Sequence, residues 1–166
     1  MSPEDPLAPS IRYRWTVLVM LTLVYTFNFI DRQILVILQE PIKADLGLSD
    51  AQLGLLSGFS FALVYVTAGI PIAWLADRGN RRNIVAVSLG FWSFMTALSG
   101  LAQNYGQLLA ARIGVGIGEA GGSPPSHSMV SDYFPAEQRG TALSFYSTGV
   151  YIGILIGFAA GGWIAE

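Results

Sequence analysis

Five stretches of this chain are apolar over twenty residues or more, at 15–38, 53–76, 83–102, 107–131 and 141–165. About 20 helical residues cross a hydrocarbon core of about 30 Å, and a backbone in that solvent must satisfy its own hydrogen bonds. The pattern therefore predicts an all-α membrane protein of about five transmembrane helices. The links between them are short: 39–52 with Pro41 and Gly47, DRGNRR at 77–82, QNYG at 103–106 and DYFPAEQRG at 132–140. Short links make consecutive helices antiparallel neighbours. Ser49 with Gln52 three residues later has the spacing of a capping box, so the second helix is expected to start there.

Residues 1–14 are polar and proline-rich and read as a disordered tail, with 15–166 as a partial transmembrane bundle. The tail is no secretory signal: the apolar stretch behind it is too long and carries Asp31 and Arg32. Lysine and arginine set the orientation, because cytoplasmic loops are enriched in them. Arg12, Arg14, Arg78, Arg81, Arg82 and Arg139 fall on one side and Lys43 on the other. This predicts a multi-pass protein of the plasma (inner) membrane with its N-terminus in the cytoplasm. An apolar helix running straight into Glu166 is expected to mark a truncated chain.

Composition closes off other classes. Charged residues make up 12% of the chain, about half of what a soluble domain carries. Cysteine is absent and there is one histidine, so no disulfide framework, metal centre or cofactor is expected. The net charge is −2 and the longest basic run is Arg81-Arg82, which recommends no nucleic-acid partner. A catalytic site would have to come from Glu119, His127 and serines with no ligand cluster, so the chain is not read as an enzyme. His127, alone past the prolines of the fourth stretch, is read as a hydrogen-bonded structural residue.

Glycine recurs every fourth residue at Gly149, Gly153, Gly157 and Gly161, and again at Gly114, Gly118 and Gly122. Each set lays a groove along one helix face, and close backbone approach replaces the hydrophobic drive that lipid does not supply. Close packing accounts for both sets, and a sliding contact is compatible with it. In the fourth stretch, Gly121-Gly122-Ser123-Pro124-Pro125 predicts a kink or break.

Asp31, Arg32, Arg112 and Glu119 lie inside apolar stretches, where a charge costs at least about 2.5–3.5 kcal/mol and is a functional candidate by default. At 1.5 Å per residue, Asp31 lies roughly 24 Å up from Trp15 and Arg112 roughly 8 Å down from Gln107, nearly one level. Glu119 follows seven residues after Arg112, on about the same face and near the midplane. Asp31 is expected to pair with Arg112, and Arg32 with Glu119. Structural ion pairs are the plainer reading. With Asn28 one turn below Asp31, the group also has the makings of a proton relay or an anionic-substrate site.

AWLADRGNRRN from Ala73 resembles the loop motif of the major facilitator superfamily, with Ala73 where glycine is usual and Gly79 one position early. RIGVGIGE from Arg112 is similar to the family's second motif, and DYFPAEQRGTA from Asp132 to its loop between helices four and five. Gly153 to Gly162 resembles the fifth-helix motif of antiporters, with Phe158 in place of proline. Asn28-Phe29-Ile30-Asp31-Arg32 and Gly114 to Ala120 resemble the spinster-like subgroup. The resemblance implies two six-helix halves, of which the sixth helix and the C-terminal half lie beyond this sequence. It further implies alternating access, proton coupling, and an amphipathic or anionic organic solute. Expected partners are thus the bilayer, a small organic or lipid-like solute, protons and the C-terminal half. Glu119, Arg112, Asp31, Arg32 and Asn28 are then the coupling and substrate residues. Asp77, Arg78, Arg81, Arg82 and Arg139 form a conformational latch, in which Asp77 is expected to be held by Arg81, Arg139 or a helix N-terminus of the C-terminal half. The alternative is a structural or assembly subunit that transports nothing.

Overall fold

The computed structural model describes residues 9–165, and the described residues are helical apart from turns. The first eight residues of the expected tail lie outside them. The rest of that tail is ordered: α1 (Ile11–Ile37) begins where the Ser10 side chain accepts the Tyr13 N–H, so Arg12 and Arg14 belong to its first turn. The link expected at 39–52 is also largely helical, as α2 (Gln39–Leu46). Pro41 lies in the first turn, where no N–H is needed, and Gly47 ends the helix at φ 63°.

Ser49 opens α3 (Asp50–Gly54) with both bonds of a capping box in place. A π-helical turn, Leu55–Phe59, joins it to α4 (Ser60–Arg78). Next come α5 (Arg81–Ser99), with Asn80 as its N-cap, and α6 (Tyr105–Ala120), capped by Asn104. At Gly121 and Gly122 the backbone tightens to bonds onto Gly118 and Glu119. The chain resumes as α7 (Ser123–Tyr133), with prolines in its first turn, and ends with α8 (Ala136–Ala165).

Among the described residues, three continuous helical runs, Ile11–Ile37, Asp50–Arg78 and Ala136–Ile164, are by length and composition able to cross a membrane. The other two expected spans are less regular: the first turn of α5 holds Arg81, Arg82 and Asn83, and the fourth stretch is divided between α6 and α7. Large apolar side chains face outward, among them Ile70, Val87, Tyr151, Leu155 and Trp163. A bundle with that skin suits lipid.

The glycines fix how the helices lie. A Cβ added at Gly149 would come 2.8 Å from the Thr22 carbonyl oxygen, at Gly153 2.6 Å from that of Thr26, at Gly157 2.6 Å from Gln33 Cβ and at Gly161 2.7 Å from Ile37. Both series ascend, so α1 and α8 run parallel. From Gly114 to Gly118 to Gly121 the closest neighbours descend α5, from Met95 to Trp92 to Ser88, so α5 and α6 are antiparallel. Gly116 faces Phe61 and Val64 while Gly121 also meets Ile72, which sets α4 parallel to α6.

Two apolar clusters close the ends of the bundle. Leu18, Leu21, Val85, Met129, Val130, Phe134, Ala142 and Tyr146 form one, and Leu48, Leu53, Leu56 and Leu108 the other. Tyr13 against Tyr133 and Trp15 against Phe134 join the start of α1 to the end of α7. An ion pair of Arg81 with Asp132 lies at that same end, whereas Lys43 pairs with Asp50 at the other.

Candidate proton and anion site

Between the two clusters, α1 meets α6 through charge. Adjacent residues on a helix point about 100° apart, so Asp31 and Arg32 reach different partners. Arg112 Nη1 donates to Asp31 Oδ2 at 2.9 Å, with both side chains almost fully buried. Arg32 donates to Glu119 Oε2 from Nε at 2.8 Å and from Nη2 at 2.7 Å. The Glu119 side chain is 0% exposed and that of Arg32 31%, so this pair has one sealed partner and one that faces open space.

Both Arg32 contacts fall on one carboxylate oxygen. Glu119 Oε1 is buried and accepts no hydrogen bond from the described residues, and neither Arg112 Nε nor Asn28 Oδ1 has a partner among them. Asn28 is buried one turn before Asp31 and joins neither ion pair. Buried polar groups are rarely left unpaired in a merely structural network.

Reading the sequence missed the rings around Arg32. Its guanidinium carbon lies 5.4 Å from the ring centre of Phe29, 4.7 Å from that of Phe61 and 5.4 Å from that of Tyr65. Phe61 also has Arg112 at 6.0 Å. The signal was available: Phe61 and Tyr65 are one turn apart, hence on one face of α4. What hid it was the π turn before Ser60, since its extra residue shifts the phase of the helix.

The residues expected to form a latch gather at the arginine-rich end, where neither Arg81 nor Arg139 holds Asp77. Arg81 pairs with Asp132, and Arg139 Nε donates to the Phe134 carbonyl at 3.1 Å. Asp77 is exposed and held by neither. Arg81 begins α5 across from the end of α7, and Arg139, in the first turn of α8, reaches back to the carbonyl of Phe134, the C-cap residue of α7. Arg78 lies 3.9 Å over the Trp74 ring and Arg82 is exposed. Asp132 was not singled out as a partner, although opposite charges in two links on one side of a membrane would have suggested it. His127 Nδ1 lies 2.8 Å from the Ser123 carbonyl, and its ring meets Tyr146 edge-on.

Comparison with known proteins sets this geometry in a family. The model of the Major Facilitator Superfamily matches residues 21–166. An MFS-type efflux pump of Mycolicibacterium smegmatis is 39% identical over 93% of this chain and 36% of its own length. A probable galactarate/D-glucarate transporter of Bacillus subtilis is 35% identical over 97% of this chain and 36% of its own. The crystal structure of a bacterial homologue of the human lysosomal transporter spinster, inward-facing and occupied, superposes with a TM-score of 0.89. It is 48% identical and covers 93% of this chain and 33% of its own. The chain thus spans about a third of the length of these proteins. With a family model covering nearly all of it and a spinster homologue matching its helices, the chain belongs to the Major Facilitator Superfamily and resembles that superfamily's spinster-like members.

Proposed function

We propose that the full-length protein containing this chain is a secondary active transporter. It moves an anionic or amphipathic organic solute by alternating access, coupled to protons, and catalyses no reaction. The observation that carries the reading is the Arg32–Glu119 pair, a sealed carboxylate held by a cation that opens on one side. Burial favours the neutral acid and the arginine favours the carboxylate, so breaking and remaking one pair loads and releases a proton. A substrate anion that takes Arg32 from Glu119 ties solute binding to protonation through one shared cation. Asp31 and Arg112, both nearly buried, form the standing pair beside it.

The relatives support an organic anion: one is named for the diacids galactarate and glucarate, and the structural neighbour for spinster. The arginine-rich end, with Asp77, Arg78, Arg81, Arg82 and Arg139, acts in this reading as the latch of the inward–outward change. It faces the cytoplasm of a plasma (inner) membrane. The glycine faces of α6 and α8 serve as close contacts on which the helices shift.

The test is uptake by the full-length transporter in proteoliposomes under an imposed pH gradient, with a labelled sugar diacid and a lysophospholipid as probes. Accumulation of either that follows the gradient and collapses with an uncoupler is expected. A gradient-independent signal, unchanged by Arg32→Ala, would overturn the reading.

A further inference from the structure

The rings around Arg32 have no place in the ion pair itself. Phe29 comes from α1, and Phe61 and Tyr65 from the first turns of α4, so two helices build one aromatic enclosure around a single guanidinium. Packing alone does not call for three π faces on a cation: Phe61 is also seated over Gly116, whose added Cβ would touch its ring at 3.5 Å. The ring lies between α4 and α6 in ordinary van der Waals contact with that glycine, and both Arg32 and Arg112 lie within 6.0 Å of its centre.

We propose that Phe29, Phe61 and Tyr65 form a holding cage for the Arg32 cation, the place where it rests when Glu119 gives it up. The inference rests on the coupling role given above to the Arg32–Glu119 pair and adds the groups that set its balance. Arg32 is about two-thirds withdrawn from solvent, so a cation there without its anion is costly, and an aromatic face repays part of that cost. While the pair is formed, the carboxylate cancels much of the field that the rings sense. Once Glu119 is neutral the full cation faces them. The cage therefore stabilises the separated state more than the paired one and makes proton loading easier. The ionisable groups facing Glu119 are Asp31 and Arg32 from α1 and Arg112 from its own helix; the Tyr65 phenol of α4 belongs to the ring beside Arg32. From α5, α6 meets Ser88, Trp92 and Met95, none of them charged.

The three rings are positioning residues, and the readout is a pH profile. In proteoliposomes of the full-length transporter, Phe61→Leu keeps apolar bulk and removes one π face. The pH of half-maximal gradient-driven uptake is expected to fall by about half a unit, and Phe61→Tyr, which keeps the face, to restore it. Tyr65→Leu gives the same reading from a second ring if Phe61→Leu does not reach the membrane. Midpoints unchanged in both leucine variants, with pH dependence lost in Glu119→Gln, overturn the cage and leave the coupling role standing. Intact pH dependence in Glu119→Gln overturns the coupling role, and the cage with it.

Discussion

Replacing Gly153 by alanine adds one methyl group at one of the two tightest points of the α1–α8 contact, the other being Gly157. The new Cβ would stand 2.6 Å from the Thr26 carbonyl oxygen and 2.7 Å from Phe29 Cβ, whereas ordinary contact begins at 3.4 Å. One of these neighbours is backbone, fixed within its own helix, so no rotamer change relieves the clash. The helices must part locally by 3.4 − 2.6 = 0.8 Å. A gap of that size forfeits a quarter to a half of the dispersion well wherever it opens, and overpacking of this kind costs about 1–3 kcal/mol. At about 2 °C per kcal/mol that is a fall in Tm of roughly 2–6 °C. Thermal unfolding of the full-length protein in detergent is the assay, and Gly162→Ala, whose Cβ meets nothing within 4 Å, is the control. Helix propensity alone favours alanine at both positions. Equal Tm values for the two variants would refute the close-contact argument.

Other outcomes follow from the same geometry. Arg112→Gln leaves Asp31 buried without a cation and should lower stability by about 3–5 kcal/mol, whereas Arg112→Gln with Asp31→Asn should lose less; equal losses in chemical denaturation would contradict the pairing. Asp77→Asn in the full-length protein should shift the inward–outward balance and slow transport with expression intact, which distance distributions between labels on the two halves would read; unchanged distributions would sink the latch. Residues 1–166 alone should give no specific uptake in proteoliposomes, because substrate sites of transporters built from repeats lie at the repeat interface.

The ion pairs were legible because three constraints meet at these residues. Charges inside apolar stretches are rare, helical rise gives depth, and antiparallel order says which helices face each other. Those are enough to match Asp31 with Arg112 and Arg32 with Glu119. The break at Gly121 was equally plain, since prolines cannot continue the hydrogen-bond ladder. The cage was not legible: it depends on the phase of α4, which a π turn resets, and the Gly58 within that turn is a residue that continuous apolar helices also carry. The helical link with Pro41 was hidden because proline marks a loop and a first turn alike. The Arg81–Asp132 pair was missed for want of geometry, as nothing in a run of basic residues says which one meets an acid.

The central claim is that Glu119 carries the coupled proton while Arg32 moves between it and the solute. Glu119→Gln in the full-length transporter keeps the shape and neutrality of the protonated acid. The decisive measurement is solute exchange and pH-driven accumulation in the same proteoliposomes. Exchange that persists while accumulation is abolished at every pH is the predicted result. Accumulation with the wild-type pH dependence would contradict the account and move the proton to Asp31 or to a group outside this chain.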